Sequence, residues 1–167
     1  RAEPASARPD DDADRARLLP SFGLEAADVL WVGRNRMDVL AEVTPAAFAR
    51  LKPVFSEVAK ITCRVLSVTA AGCPIPNGGN DDMYDFSSRA FGPCAGIDED
   101  PVCGSAHCML GPYWSSKLGG KTELQARAAS KRGGHVRVRL ADKRVKLGGR
   151  AVTTMTGTLL QRVDASA

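Results

Sequence analysis

Aromatic residues are scarce in this 167-residue sequence: they make up 5% of it, and it has only two histidines. A surface that stacks nucleic-acid bases needs aromatic rings interleaved with cations, and no such interleaving occurs here. No apolar run approaches the roughly 20 residues a membrane-crossing helix requires. The opening RAEPASARPDDDADRAR has no apolar core that could act as a signal peptide. Neither GxxxxGK[ST] nor GxGxxG occurs, so the pairs Gly133-Gly134 and Gly148-Gly149 read as turn glycines rather than phosphate loops. Internal repeats and low-complexity tracts are also missing.

Cysteine is present, but in a pattern that excludes a disulfide framework. Cys63, Cys73, Cys94, Cys103 and Cys108 form an odd set without CxxC pairs. Free thiols in a reducing compartment are the expectation, and with it a cytoplasmic location. A metal site on Cys103, His107 and Cys108 lacks a second ligand cluster and is discounted. No metal is therefore expected on these residues, and neither a membrane nor a nucleic acid is an expected partner.

With 44% apolar and 25% charged residues, the chain can bury one full-size core. Residues 1–12, rich in Ala, Pro, Arg and Asp, are expected to form a flexible end. A short helix is expected over Ala13–Phe22, limited by Pro20 and Gly23. Strands follow at Asp28–Gly33 and Met37–Val43, joined by Arg34-Asn35-Arg36. Thr44-Pro45 reads as an N-cap and first helical residue for Ala46–Leu51.

Ile61–Ala70 (ITCRVLSVTA) suits a strand buried on both faces, Cys73–Asp82 an exposed loop, and Met83–Phe91 a further strand. Ala106–Leu118 is an apolar helix stopped by Gly119-Gly120. His135–Leu140 alternates strictly and begins a meander through Val145–Leu147 to a last strand at Ala151–Leu160. The fold class is α+β: a curved mixed or antiparallel sheet wrapped around one central helix, Ala106–Leu118.

The net charge is +4, with most of the excess in one region where Arg127, Lys131, Arg132, Arg137, Arg139, Lys143, Arg144, Lys146 and Arg150 face only Asp142. A solvated outer face of an edge hairpin, protected from edge-to-edge pairing, accounts for this.

Chemistry concentrates in Glu99–Leu110, EDPVCGSAHCML. Pro101 pushes Asp100 into extended geometry on a loop. Gly104 permits close approach, and Ser105 suits a helix entry. The amides of Gly104, Ser105 and Ala106 stand at the positive end of a helix dipole, where a substrate carboxylate would bind. On these residues alone two readings stay open. Asp100 and Ser105 either cap the helix or bind and protonate a ligand. Cys103 is either a small core residue or an acid/base thiol stabilised by the helix start.

Taken in order, the series Asp85-Phe86-x-Ser88-Arg89-x-Phe91-x-Pro93, Gly96, Glu99-Asp100-Pro101-Val102, Gly104-Ser105-Ala106-His107, Pro112-Tyr113-Trp114, Ser130-x-Arg132-Gly133-Gly134 and Gly149-x-Ala151-Val152 through Gly157-Thr158-Leu159 resembles the C-terminal half of PhzF-like (phenazine biosynthesis-like) proteins. The resemblance covers roughly residues 28–160. It implies the diaminopimelate-epimerase fold of two similar lobes, each a curved sheet around a central helix, with the active site between them.

The same resemblance implies an isomerase that moves a proton without metal or organic cofactor on a small carboxylate-bearing, amino-acid-like metabolite. The family's catalytic glutamate lies in an Asn-x-x-Glu-Thr motif, with a helping Gly-His motif. Neither occurs in these residues. Residues 13–162 are thus expected to be the C-terminal lobe, with residues 163–167 a tail and the N-terminal lobe a missing partner. The first residue is Arg, which suggests a processed chain or a fragment, inactive alone. A homodimer is left open.

By resemblance, Asp100 is the active-site aspartate, and Gly104 and Ser105 hold the substrate. Cys103 replaces a threonine common in the phenazine enzyme and resembles the catalytic cysteine loop of epimerases with this fold. Ala128 stands where relatives often have Gln. A cysteine-dependent racemase or epimerase, or a non-enzymatic scaffold, are the alternatives.

Overall fold

The structure is a computed structural model that describes residues 11–74 and 83–158. Helix α1 (Asp11–Phe22) leads to a hairpin of β1 (Val29–Arg34) and β2 (Val39–Val43). The Asn35 side chain closes that turn, its Oδ1 accepting the N–H groups of Met37 and Asp38 at 2.9 and 2.8 Å. Short helices α2 (Pro45–Ala49) and α3 (Phe55–Val58) follow. The Thr44 hydroxyl caps α2 by accepting from Ala47, and Pro45 needs no donor partner in the first turn.

Next come β3 (Leu66–Pro74), β4 (Met83–Gly92) and β5 (Ile97–Asp100), then the long helix α4 (Gly104–Lys117) and strands β6 (Glu123–Ala128), β7 (Gly134–Ala141) and β8 (Arg144–Gly148). All eight strands form one mixed sheet in the order β1-β2-β3-β4-β6-β7-β8, with β5 added to β4. The β2–β3 and β4–β6 pairs are parallel, and the others antiparallel.

Strand alternation divides the interior into two cores. Val39, Ala41, Val43, Leu66, Val68 and Ala70 face α1, α2 and α3 together with Leu18 and Phe22. From the other face Leu40, Phe86, Leu124, Ala126, Val136 and Val138 surround Met109, Leu110 and Trp114 of α4. Trp31 of β1 reaches α4 through Tyr113, ring centroids 4.9 Å apart, while β7 and β8 close the opposite flank. A Cβ on Gly111 would come within 3.0 Å of Val138, so glycine there lets the helix lie close against β7.

The wrapped-helix expectation holds, and its boundaries sharpen. The first helix runs Asp11–Phe22, with Pro20 in its last turn, where it forfeits one backbone hydrogen bond and the helix ends two residues later. Residues 11 and 12 therefore belong to α1; the rest of the expected flexible end lies outside the described residues. The strand expected from Ile61 begins at Leu66. Pro74 ends β3, and the remainder of the expected loop to Asp82 lies outside the described residues.

The last expected strand is a correction. Residues 151–158 carry no strand, and Val152 and Met155 are 85% and 87% exposed. Their β-branched pattern has no neighbouring backbone among the described residues to pair with. Residues 159–160, and the expected tail at 163–167, lie outside the described set.

Candidate functional site

Residues 99–110 form the turn from β5 into α4. Asp100 ends β5, where it is paired with Ala90 of β4. Its Oδ1 accepts the N–H of Val102 at 3.0 Å, a side-chain turn that Pro101 favours by keeping Asp100 extended. Cys103 is the residue that caps α4, with extended backbone and no side-chain cap bond. Neither Asp100 nor Ser105 is the capping residue: Asp100 bonds the Val102 N–H ahead of the helix, and Ser105 lies inside its first turn. Gly104 and Ser105 are exposed and begin the helix with their amides uncapped by any side chain among the described residues.

Cys103 is buried, 6% exposed, in the apolar cluster around α4. Its Sγ lies 3.4 Å from Ser105 Oγ. Burial pushes its thiol pKa up, and the nearby Asp100 carboxylate adds to the rise, against the opposing influence of the Ser105 hydroxyl and the Ala106 N–H dipole. The helix-start field that would favour a thiolate is outweighed.

His107, 1% exposed, lies tilted beside Phe86 and places Nδ1 2.7 Å from the Cys103 carbonyl. A carbonyl only accepts, so Nδ1 carries the proton and Nε2 is a bare acceptor. That Nε2 is buried without a partner among the described residues. Desolvation pulls the His107 pKa down; the Cys103 carbonyl and Asp100 oppose it. The imidazole is a neutral, fixed wedge behind the loop.

The structure brings further residues to this corner. Ser130 Oγ donates to the Pro101 carbonyl at 2.8 Å and accepts the Gly133 N–H at 3.1 Å, pinning the β6–β7 turn to the loop. Val102 occupies the space a Cβ on Gly134 would need, 2.5 Å away. Between them opens a groove of about 650 Å³ bordered by Gly104, Arg132, Gly134, His135, Gly149 and Arg150. Reading the two glycine pairs only as turns missed that both turns border the helix start. The Ser130-x-Arg132-Gly133-Gly134 series was the available signal.

The charged region otherwise resolves as expected: Arg137 and Arg139 are exposed on β7, next to the edge strand β8. At the far end of α4, Tyr113 donates to Glu42, and Lys117 Nζ lies 2.9 Å from the same carboxylate. This cluster lies toward the helix C-terminus, away from the groove. Among the described residues no three His, Cys, Asp or Glu side chains are grouped to hold a metal ion. No described helix is long and apolar enough to cross a membrane.

Comparison with known proteins agrees with this architecture. The sequence profile of a family described as phenazine biosynthesis-like protein matches residues 12–157. An uncharacterized isomerase of Halalkalibacterium halodurans is 46% identical over 144 residues, 86% of this chain and 50% of that protein. An uncharacterized isomerase of Pseudomonas aeruginosa is 38% identical over 152 residues, 91% of this chain and 54% of its own length. The chain thus spans about half the length of the curated relatives it matches.

Among solved structures, a PhzC/PhzF protein of Clostridium difficile superimposes with a TM-score of 0.68 at 32% identity, over 95% of this chain and 54% of that one. The fold extends to a protein described as a predicted epimerase from Pseudomonas aeruginosa, TM-score 0.51 at 20% identity, over 91% of this chain and 56% of that one.

Proposed function

Because the chain belongs to the phenazine biosynthesis-like protein family, we propose that it forms one side of the active-site cleft of an isomerase acting by proton transfer on a small carboxylate-bearing metabolite. The observation that carries this reading is the α4 start: uncapped, exposed amides at Gly104 and Ser105 beside the Asp100 carboxylate. The amides and the helix dipole take the substrate carboxylate. That contact withdraws electrons and makes a proton on the adjacent carbon easier to remove.

An isomerisation removes a proton from one carbon and returns one to another, so substrate and product have the same composition and no cofactor is required by the balance. Asp100, fixed through Val102, positions the substrate or carries that proton. The opposing acid/base group comes from sequence outside this chain, and the chain alone is inactive as an isomerase. Cys103 acts as packing, because burial keeps it a thiol.

The test is turnover by the longest reading frame that contains this chain, with Asp100→Ala and Ser105→Ala introduced separately. Asp100→Ala is expected to lower kcat by about 100-fold or more. Ser105→Ala is expected to raise KM for the carboxylate substrate. Normal turnover in both variants overturns the reading.

A further inference from the structure

We propose that the substrate of this site carries a second anionic group, a carboxylate or a phosphate-type group, and that Arg132 and Arg150 bind it. This rests on the reading of the α4 start as the place where the first carboxylate sits.

The groove beside Gly104 is bordered by Arg132 and Arg150 and by no carboxylate. Several arginines elsewhere in the molecule are ion-paired, while Arg127, Arg137, Arg139 and Arg144 on the outer strands have no ion-pair partner among the described residues. Arg34 pairs with Asp14, Arg50 with Asp28 and Arg89 with Glu99, each at 2.6–2.7 Å. Arg132 and Arg150 have no ion-pair partner among the described residues. Two like charges facing one hollow disfavour each other, and an anion between them reverses the sign of that interaction.

A guanidinium fork matches a planar carboxylate or a phosphate on two oxygens, a geometry a single carboxylate held at the helix start would leave unused. The volume, about 650 Å³, is that of a small-metabolite site and leaves room beyond one carboxylate. His135, on the same border, has its pKa lowered by burial and by Arg137 and Arg150, so the field of Arg150 already reaches this space.

One competitor stands nearby. Arg132 also borders a neighbouring hollow with Asp98 and Glu99. Both Glu99 oxygens are engaged by Arg89, which leaves Asp98 as the carboxylate a substrate anion must outcompete.

The experiment uses this 167-residue chain and three probes at constant ionic strength: butyrate, glutarate and 3-phosphonopropionate. Binding is followed through the amide shifts of Gly104 and Gly133. Glutarate or the phosphonate is expected to bind about tenfold more tightly than butyrate, and whichever does so identifies the anion class. Arg132→Gln and Arg150→Gln are each expected to remove most of that advantage without changing butyrate affinity. Lys143→Gln, in the β7–β8 turn, is expected to keep it.

Equal affinity for all three probes with a saturating Gly104 shift overturns the second-anion proposal and leaves the carboxylate site standing. An advantage that survives both arginine variants, or falls equally in Lys143→Gln, overturns the assignment to Arg132 and Arg150. No Gly104 shift with any probe overturns this proposal and the reading beneath it together.

Discussion

The two faces of the sheet bury apolar surface in different styles. Toward α1, α2 and α3 the core is aliphatic and aromatic, with Phe22 against Phe91 at 5.0 Å, and beside it the buried Asp14 is paired with Arg34 and Asp28 with Arg50. Toward α4 the core holds polar groups in its depth. Trp114 Nε1 donates to Thr69 Oγ1 at 3.0 Å, Glu42 takes Tyr113 and Lys117, and His107 and Cys103 back the loop.

Both buried polar side-chain atoms without a partner among the described residues, His107 Nε2 and Ser67 Oγ, point the same way. Ser67 alternates with Leu66 and Val68 and so shares the face of Thr69 toward α4. Each such atom costs about 1–3 kcal/mol. The first face is arranged for stability. The second accepts that cost around a helix whose start stays open.

Core truncation should make the largest difference in stability and should not tell the two faces apart. Leu18→Ala and Leu110→Ala are each expected to cost about 2–5 kcal/mol in denaturant unfolding, since both side chains are fully buried. The contrast sharpens with polar deletion. Trp114→Phe removes the donor to Thr69 and is expected to cost about 1 kcal/mol, whereas on the first face the buried Ser21 hydroxyl bonds locally, to the Arg17 carbonyl of its own helix.

Thiol reactivity tests the same boundary. Exposed Cys94 should label with a maleimide first at pH 7.5, and Cys103 and Cys63 last, because burial lifts both pKa values, Cys63 to about 12. Rapid labelling of Cys103 in the folded chain would remove the ground for treating it as packing.

The pH dependence follows from both histidines having folded-state pKa values below the ordinary 6.5. The unfolded chain then binds more protons, so stability is fully present above about pH 6.5 and declines as pH falls below it. His107→Leu should flatten part of that slope in urea titrations at pH 5 and 7. A slope unchanged in both His107→Leu and His135→Gln would show that carboxylates alone set it. Smallest of all, Arg137→Gln and Arg139→Gln on the exposed face are expected to shift stability by no more than about 0.5 kcal/mol.

How much of this was legible depended on whether a segment's partners were near in sequence or far. Leu66–Ala70 announces a strand buried on both faces because both alternating sets are apolar or small, whereas in Val39–Val43 the burial of Glu42 is not announced by the sequence. Helix α4 declares itself by an apolar run and a glycine stop. By contrast β5, with sequence IDED, has no apolar signature, and its existence depends on the backbone of β4. In β6 the inward set Leu124, Ala126 and Ala128 is too small to stand out, yet small residues are what α4 can pack against. Residues 151–158 show the converse, a strand-like composition without a strand.

Within the site, Asp100, Gly104 and Ser105 lie together in sequence and were legible as a unit. Arg132 and Arg150 meet the same groove only because β6, β7 and β8 return beside the start of α4.

The most direct test of the account is a pair of variants in the longest reading frame containing this chain, Asp100→Asn and Cys103→Ser, compared by kcat and by thermal unfolding. The account predicts that Asp100→Asn lowers kcat by about 100-fold with an unchanged midpoint, while Cys103→Ser keeps kcat within about fivefold. The reverse pattern, an inactive Cys103→Ser that folds normally beside an active Asp100→Asn, would contradict it.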